Sequence, residues 1–365
     1  MRPIYPYNFV PLDSKAPERS TGYPGLHRRP ENSYSGKLTC TLTTLCPVVT
    51  LDQRPSSSHS LKNGQGINAF KFLRNSGKKP IFQGSSLKGM IRSVYEAITN
   101  SCMSAAATSG KSHKSRGKEI QYAYASIGNH SKTACNSPDR LCPACRLFGI
   151  AEGDKIHCQG RIAFGDATLE KGALVRDGSV FLRGLSNPKP HHYPTYAGGA
   201  NRTRGSVIAG RKFYYHHKPI LKFSVEAHKQ KKFSIGVDEY APAGVEFVFQ
   251  VYLMGLTGDE IGDLLLAIEL TEGLGHKIGI GKAIGLGSCT ITVNQEISFV
   301  ADSTGLYANY QTGGVFNWYA LKKGSVRLPE RLKMILKLNK HKEGDIKYPR
   351  WDSYTNAPID ENGFY

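Results

Sequence analysis

The chain has 365 residues, 39% hydrophobic and 21% charged. That is apolar material enough for one large domain or two ordinary ones, and too much for a disordered chain. Lysine and arginine number 48 against 29 acidic residues, a surplus of +19, which points to a polyanionic partner, nucleic acid first, bound in a steeply salt-dependent way. No segment approaches the roughly 18 consecutive apolar residues of a membrane span, and the N-terminal stretch lacks the apolar run of a secretory signal, so the expectation is a cytoplasmic protein with no membrane partner.

Residues 1–36 are rich in Pro, Tyr and Arg without periodicity and are expected to form an extended arm that orders on a neighbour or on RNA. From Gly36, KLTCTLTTLCPVV alternates apolar and Thr residues as a strand does, and DQRPSSSHSLKNGQG after it reads as a long polar loop. A helix is predicted over 85–99, with Ser85 as its cap. Leu87, Ile91, Val94, Tyr95 and Ile98 form its buried stripe, and Lys88 and Arg92 face outward. Residues 103–133 are small and polar, with a basic run at 111–118, and read as an excursion. GRIAFGDATLE (160–170) reads as strand and turn, 186–205 has no regular pattern, and RKFYYHH (211–217) and VEFVFQVYLMGL (245–256) read as strands. A second helix, 258–271, begins with the capping box Thr257 and Glu260 and is expected to stop at Gly273. A glycine-rich loop follows, then a closing strand at 288–294, and a basic, aromatic extension over 300–365 with one short helix near 329–338.

Four of the eight cysteines cluster as C-x6-C-x2-C-x12-C: Cys135, Cys142, Cys145 and Cys158. In a cytosolic chain this clustering reads as metal rather than disulfide. Cys-Pro-Ala-Cys lets two thiolates converge on one ion, and two more complete a tetrahedron with no open position. Soft sulfur ligands favour zinc or iron–sulfur, and structural zinc is the expected cofactor. His130 and His157 are close alternatives for the outer ligands.

Three segments suit phosphate or base contact. The turn IFQGSSLKG places Gly84, Ser85, Ser86, Lys88 and Arg92 around a helix N-terminus, where free amides and the positive dipole end favour an anion. The loop 273–287 alternates glycines, Gly279 and Gly281 among them, with apolar residues and carries His276, Lys277 and Lys282, a pattern able to run close to a sugar-phosphate backbone. It lacks GxxxxGK[ST] and sits between helix and strand, so it is neither a P-loop nor a dinucleotide fingerprint. Arg202 and Arg204, then Arg211 and Lys212 beside Phe213, Tyr214 and Tyr215, interleave cations with aromatic rings. Strand alternation turns at most half of those rings toward RNA.

IFQGSSLKGMIRSVYE (81–96), CPACRLFG (142–149), GRIAFGDA (160–167) and GHKIGIGKAIGLGS (275–288), in this order, resemble the RAMP superfamily of CRISPR proteins. The closest resemblance is to the "Cas seven" backbone group of type III systems. It implies an α+β fold: a modified RRM-like (ferredoxin-like) domain over 37–299 with a zinc-bearing insertion at about 103–160, between the arm and the C-terminal extension. It also implies sequence-independent crRNA binding along a protein filament through Ser85, Ser86, Lys88, Arg92, Lys277 and Lys282, with target RNA and other CRISPR effector subunits as further partners. Many such subunits cut target RNA with an aspartate after the first strand. Here Asp52 is the candidate catalytic residue, and magnesium the cofactor such cutting would use. One alternative is a RAMP endoribonuclease processing precursor crRNA, for which His59, His192, His216 and His217 are candidate bases. Another is a zinc-bearing RNA chaperone unrelated to CRISPR.

Overall fold

A computed structural model of the chain describes residues 5–21, 30–60, 66–103, 112–115, 118–121, 134–152, 156–176, 180–183, 209–219, 234–302, 326–338 and 346. The expectations for His130, His192, Arg202 and Arg204 fall outside these residues. The strands are β1 (Tyr7–Val10), β2 (Tyr34–Thr44), β3 (Ser57–Ser60), β4 (Gly66–Phe70), β5 (Ile81–Phe82), β6 (Ser112–Ser115), β7 (Lys118–Gln121), β8 (Gly149–Glu152) and β9 (Ile156–Gln159). They continue with β10 (Ile162–Phe164), β11 (Ala167–Lys171), β12 (Val180–Arg183), β13 (Arg211–Tyr214), β14 (Ser234–Val237), β15 (Glu246–Leu256), β16 (His276–Lys277) and β17 (Ser288–Asp302). The helices are α1 (Gly84–Ile98), α2 (Pro143–Phe148), α3 (Gly258–Glu269) and α4 (Glu330–Leu336).

The architecture is mixed α+β around an antiparallel sheet ordered β16-β17-β2-β15-β11-β5, with β10 also paired to β15. Alternation along β2, β15 and β17 sends Leu38, Cys40, Leu42, Phe247, Phe249, Val251, Ile291 and Val293 to one buried face. The apolar stripes of α1 (Leu87, Ile91, Val94, Tyr95) and α3 (Ile261, Leu264, Leu265, Ile268) join the same core. Phe72, Phe82 and Phe247 close one end, with ring centroids 4.6–5.9 Å apart. A smaller sheet, β12-β14-β4-β3, includes one parallel pair, β14 with β4.

The periodic segments fold as their spacing dictates, including the Thr257–Glu260 capping box on α3. Elsewhere the structure differs. The N-cap of α1 is Gln83, not Ser85; its side chain makes no cap bond, and the Asp166 carboxylate accepts from the Gly84 amide at 2.8 Å instead. α3 ends at Glu269, short of Gly273; Leu270 takes a positive φ (60°), as does Gly273 (77°). The polar loop after β2 contains β3, which pairs antiparallel with β4. Part of the N-terminal arm is ordered on the chain itself, because β1 pairs with β13.

Candidate nucleic-acid interface and thiol cluster

Three segments remote in sequence meet at one cleft of about 460 Å³. α1 presents Ser86, Gly89, Met90 and Ser93, residues that helical spacing places on a single face. The glycine loop contributes Lys277, Gly279 and Lys282, while β13 contributes Lys212 and Tyr214. Alternation along β13 turns Arg211 inward and Lys212 and Tyr214 to the cleft. The Lys212 ammonium lies 3.8 Å from the centroid of the Tyr7 ring, so β1 helps hold it by a cation–π contact.

Burial weakens the charge on these amines without removing it. It lowers the pKa of Lys212 and of Lys277 to about 8, and that of Lys282 in the same direction. Lys277 Nζ donates to the carbonyls of Gly285 (2.9 Å) and Leu286 (3.0 Å), and Lys282 Nζ to that of Gly279 (2.8 Å). An ammonium has three donors, so each amine is aimed by the loop yet keeps capacity for an anion.

The glycines serve the loop's own packing. Gly279 and Gly281 have φ of +79° and +71°, and a Cβ on Gly279 would lie 2.3 Å from the Val49 carbonyl oxygen. The amides of Ile278, Ile280 and Gly287 donate to Gly287, Val49 and Pro47 carbonyls, so these N–H groups are spent on the fold and do not form an anion cradle. Gly84 is likewise a packing glycine rather than a ligand approach: a Cβ there would lie 2.2 Å from the Phe164 carbonyl oxygen. Ser85 is exposed at the start of α1, and Lys88 is half-buried beside the cleft-lining face, its pKa lowered by burial and then by Arg92.

His276 backs the cleft but is buried, with Nε2 2.8 Å from the Ile268 carbonyl oxygen; burial lowers its pKa to about 4, so it is neutral at pH 7 and anchors the loop rather than binding phosphate. His216, a candidate base, is buried between Ser288 Oγ (2.9 Å) and the Gly275 carbonyl (3.0 Å), with its pKa lowered to about 3 by burial. Both its ring nitrogens serve the fold. Asp52, two residues beyond the cleft-lining Thr50, accepts from the Gln53 amide at 2.6 Å, and its own amide donates to the Lys71 carbonyl at 3.0 Å.

The thiols that converge are Cys102, Cys135, Cys142 and Cys145, all buried and with sulfurs within 4.8 Å of one another. Among the described residues this is the one group of three or more His, Cys, Asp or Glu side chains close enough to share an ion. Cys102 lies 3.5 Å from Cys145, 3.6 Å from Cys142 and 4.0 Å from Cys135. A zinc ion bound by four thiolates at about 2.3 Å has sulfur–sulfur edges of about 3.8 Å, so the donor set and its size fit a metal such as zinc. The fourth thiol is therefore Cys102 and not Cys158: pairing of β9 with β8 sets Cys158 opposite Ile150, outside the group. His157 is exposed on that hairpin and also lies outside it.

The two arginines expected on RNA are drawn to this cluster instead. Arg92 Nε donates to Glu96 Oε1 (2.8 Å), Nη1 to the Gly149 carbonyl (2.9 Å), and Nη2 approaches Cys145 Sγ (3.8 Å). Arg211 Nη1 donates to Glu96 Oε2 (2.6 Å) and Nη2 to the Ser101 and Cys102 carbonyls (2.5 and 3.1 Å). Two cations beside four thiols would offset the negative charge of these groups as thiolates, and Glu96 ties them together from α1. The network joins the thiol cluster to α1 and β13, two walls of the cleft.

Sequence reasoning missed Gly89, Ser93, Thr50, Cys102 and Glu96. Ser86, Gly89 and Ser93 recur at three and four residues, a small-residue face that the helical wheel could have exposed. Nothing local marks Cys102, which lies 33 residues before Cys135.

A comparison with curated proteins finds no match. Two solved structures are similar: a chain of a "Type IV-B CRISPR Complex" (17% identity, TM-score 0.34, covering 72% of this chain and 91% of that one), and Csc2 of Thermofilum pendens (10% identity, TM-score 0.33, covering 82% and 74%). The profile of the RAMP superfamily matches residues 41–290, which takes in the end of β2, α1, the thiol cluster, α3 and the glycine loop. The chain belongs to the RAMP superfamily.

Proposed function

We propose that the chain is a crRNA-binding backbone subunit of a type III CRISPR effector complex. The observation that carries this reading is the convergence of Lys212, Lys277 and Lys282 with the small-residue face of α1 on one cleft. The net charge of +19 and the motif resemblance to the "Cas seven" group support it. Phosphates of the guide pair with the three ammonium groups, the Ser86 and Ser93 hydroxyls add donors, and Gly89 lets the sugar-phosphate backbone lie against the helix. No base edge needs to be read, which suits one subunit repeated along guides of any sequence. Zinc would be held by Cys102, Cys135, Cys142 and Cys145 and would supply a structural cross-link with no open coordination position. Arg92 and Arg211 then transmit that rigidity to the cleft walls. Asp52 takes no part in this binding.

The test is native purification of the assembly from its own cells. An RNA of defined length with a fixed 5′ end, lost when Lys212, Lys277 and Lys282 are replaced by alanine, is expected. An assembly free of RNA overturns the reading. Binding to any single strand with no repeat-derived RNA retained would favour the chaperone alternative.

A further inference from the structure

On the sheet face opposite α1 and α3, one row has an unusual composition. Tyr252 on β15 pairs with Lys37 on β2, and Lys37 pairs with Phe299 on β17. Residues directly opposite one another in neighbouring strands point to the same side. Tyr252 and Phe299 are 43% and 46% exposed, while Phe249 and Val251 on the other side of the same sheet are buried. The Tyr252 hydroxyl donates to Gln250 Oε1 at 2.5 Å, two residues back along its own strand. The next row is polar, Gln250, Thr39 and Asn294, with Thr39 buried and its hydroxyl donating to the Ile297 carbonyl at 3.2 Å. None of these residues lines the cleft.

We propose that the Tyr252–Lys37–Phe299 row is a second nucleic-acid site, a stacking platform for single-stranded RNA. Strands in a sheet lie about 4.8 Å apart, so the two rings stand about 10 Å apart on either side of Lys37. Two bases splayed from one strand can stack on them while the phosphate between pairs with the ammonium group. Aromatic faces accept any base, and the lysine neutralises the backbone. The chemistry favours RNA over a protein partner. The centre of the row is a cation, which protein interfaces exclude from their cores, and the whole chain carries +19. The exposed Ile297 (57%) beside Phe299 makes a second copy of this chain the competing occupant.

The experiment uses the full chain and single-stranded RNA carrying 5-bromouridine, with photo-crosslinks mapped by mass spectrometry and affinity measured for Tyr252→Ala, Phe299→Ala and the conservative Tyr252→Phe. Both rings are exposed, so the variants fold. Crosslinks at Tyr252 or Phe299 are expected, with affinity about tenfold lower for each alanine variant and retained in Tyr252→Phe. The slope of affinity against salt stays at the native value in these uncharged variants, unlike removal of the cleft lysines, so this site and the cleft fail separately. Crosslinks confined to the cleft with unchanged affinity overturn the proposal. So does a change of oligomeric state in sedimentation with RNA affinity intact, which would make the row a contact between copies.

Discussion

Replacing Gly89 by glutamine separates binding from folding more cleanly than any charge deletion. Gly89 lies inside α1, exposed, and a Cβ built on it meets nothing within 4 Å. A glycine in a helix interior costs roughly 0.5–1 kcal/mol relative to a good helix former, so Gly89→Gln and Gly89→Ala should both stabilise the protein by about that amount. The cleft responds differently to the two. Alanine adds one methyl group, whereas glutamine extends into the space between α1 and the loop bearing Lys277 and Lys282. Losing one charge-assisted contact to phosphate costs about 1.5–3 kcal/mol, so the glutamine variant should bind single-stranded RNA at least tenfold more weakly, with alanine close to native. Urea unfolding gives the first quantity and fluorescence anisotropy with labelled RNA the second. A glutamine variant that is more stable and binds RNA as tightly as the native chain would refute the placement of RNA in the cleft.

The thiol cluster makes a sharp distinction between two cysteines: Cys102→Ser should lose bound zinc to a colorimetric chelator far faster than native protein, whereas Cys158→Ser should retain it. The reverse order would restore the spacing-based ligand set. Glu96→Ala leaves Arg92 and Arg211, both largely buried, without their shared carboxylate, and should destabilise the protein by about 3–5 kcal/mol in urea unfolding. A shift below about 0.5 kcal/mol would mean the arginines find other partners.

The sequence disclosed whatever depends on neighbours within a turn or a strand pair. The stripe Leu87, Ile91, Val94 and Tyr95 marked α1, alternation marked β2 and β15, and Thr257 with Glu260 marked the start of α3. It misplaced residues whose role is set by packing at a distance. Arg92 lies off the apolar stripe of α1, which says that it avoids that core but not that it meets Cys145 and the Gly149 carbonyl of a separate segment. Cys102 follows directly after α1, and its approach to Cys142 and Cys145 is created by the packing of α2 against that helix. The glycine loop was recognisable as a distinct element, but the reason for its glycines was not, because they answer to Val49, Leu286 and the loop's own turns. The cleft as a whole has no linear signature, since α1, β13 and the loop meet only in the folded chain.

Salt dependence of RNA affinity, measured at two pH values, tests the cleft most directly. Each phosphate neutralised on a single strand contributes about 0.7 to the slope of log affinity against log salt. Three cleft lysines should therefore make the native slope steeper by about 2 than that of the Lys212→Ala/Lys277→Ala/Lys282→Ala variant at pH 7. Lys212 and Lys277 have pKa values lowered to about 8, so they are mostly charged at pH 7 and mostly neutral at pH 9. RNA binding should weaken and its slope flatten over that interval. Folding stability moves the opposite way: the unfolded lysines hold their protons up to about 10.4, so stability rises with pH between the folded and unfolded values. Equal slopes for native and triple-substituted protein at pH 7, with no flattening at pH 9, would contradict a guide strand held by these three amines.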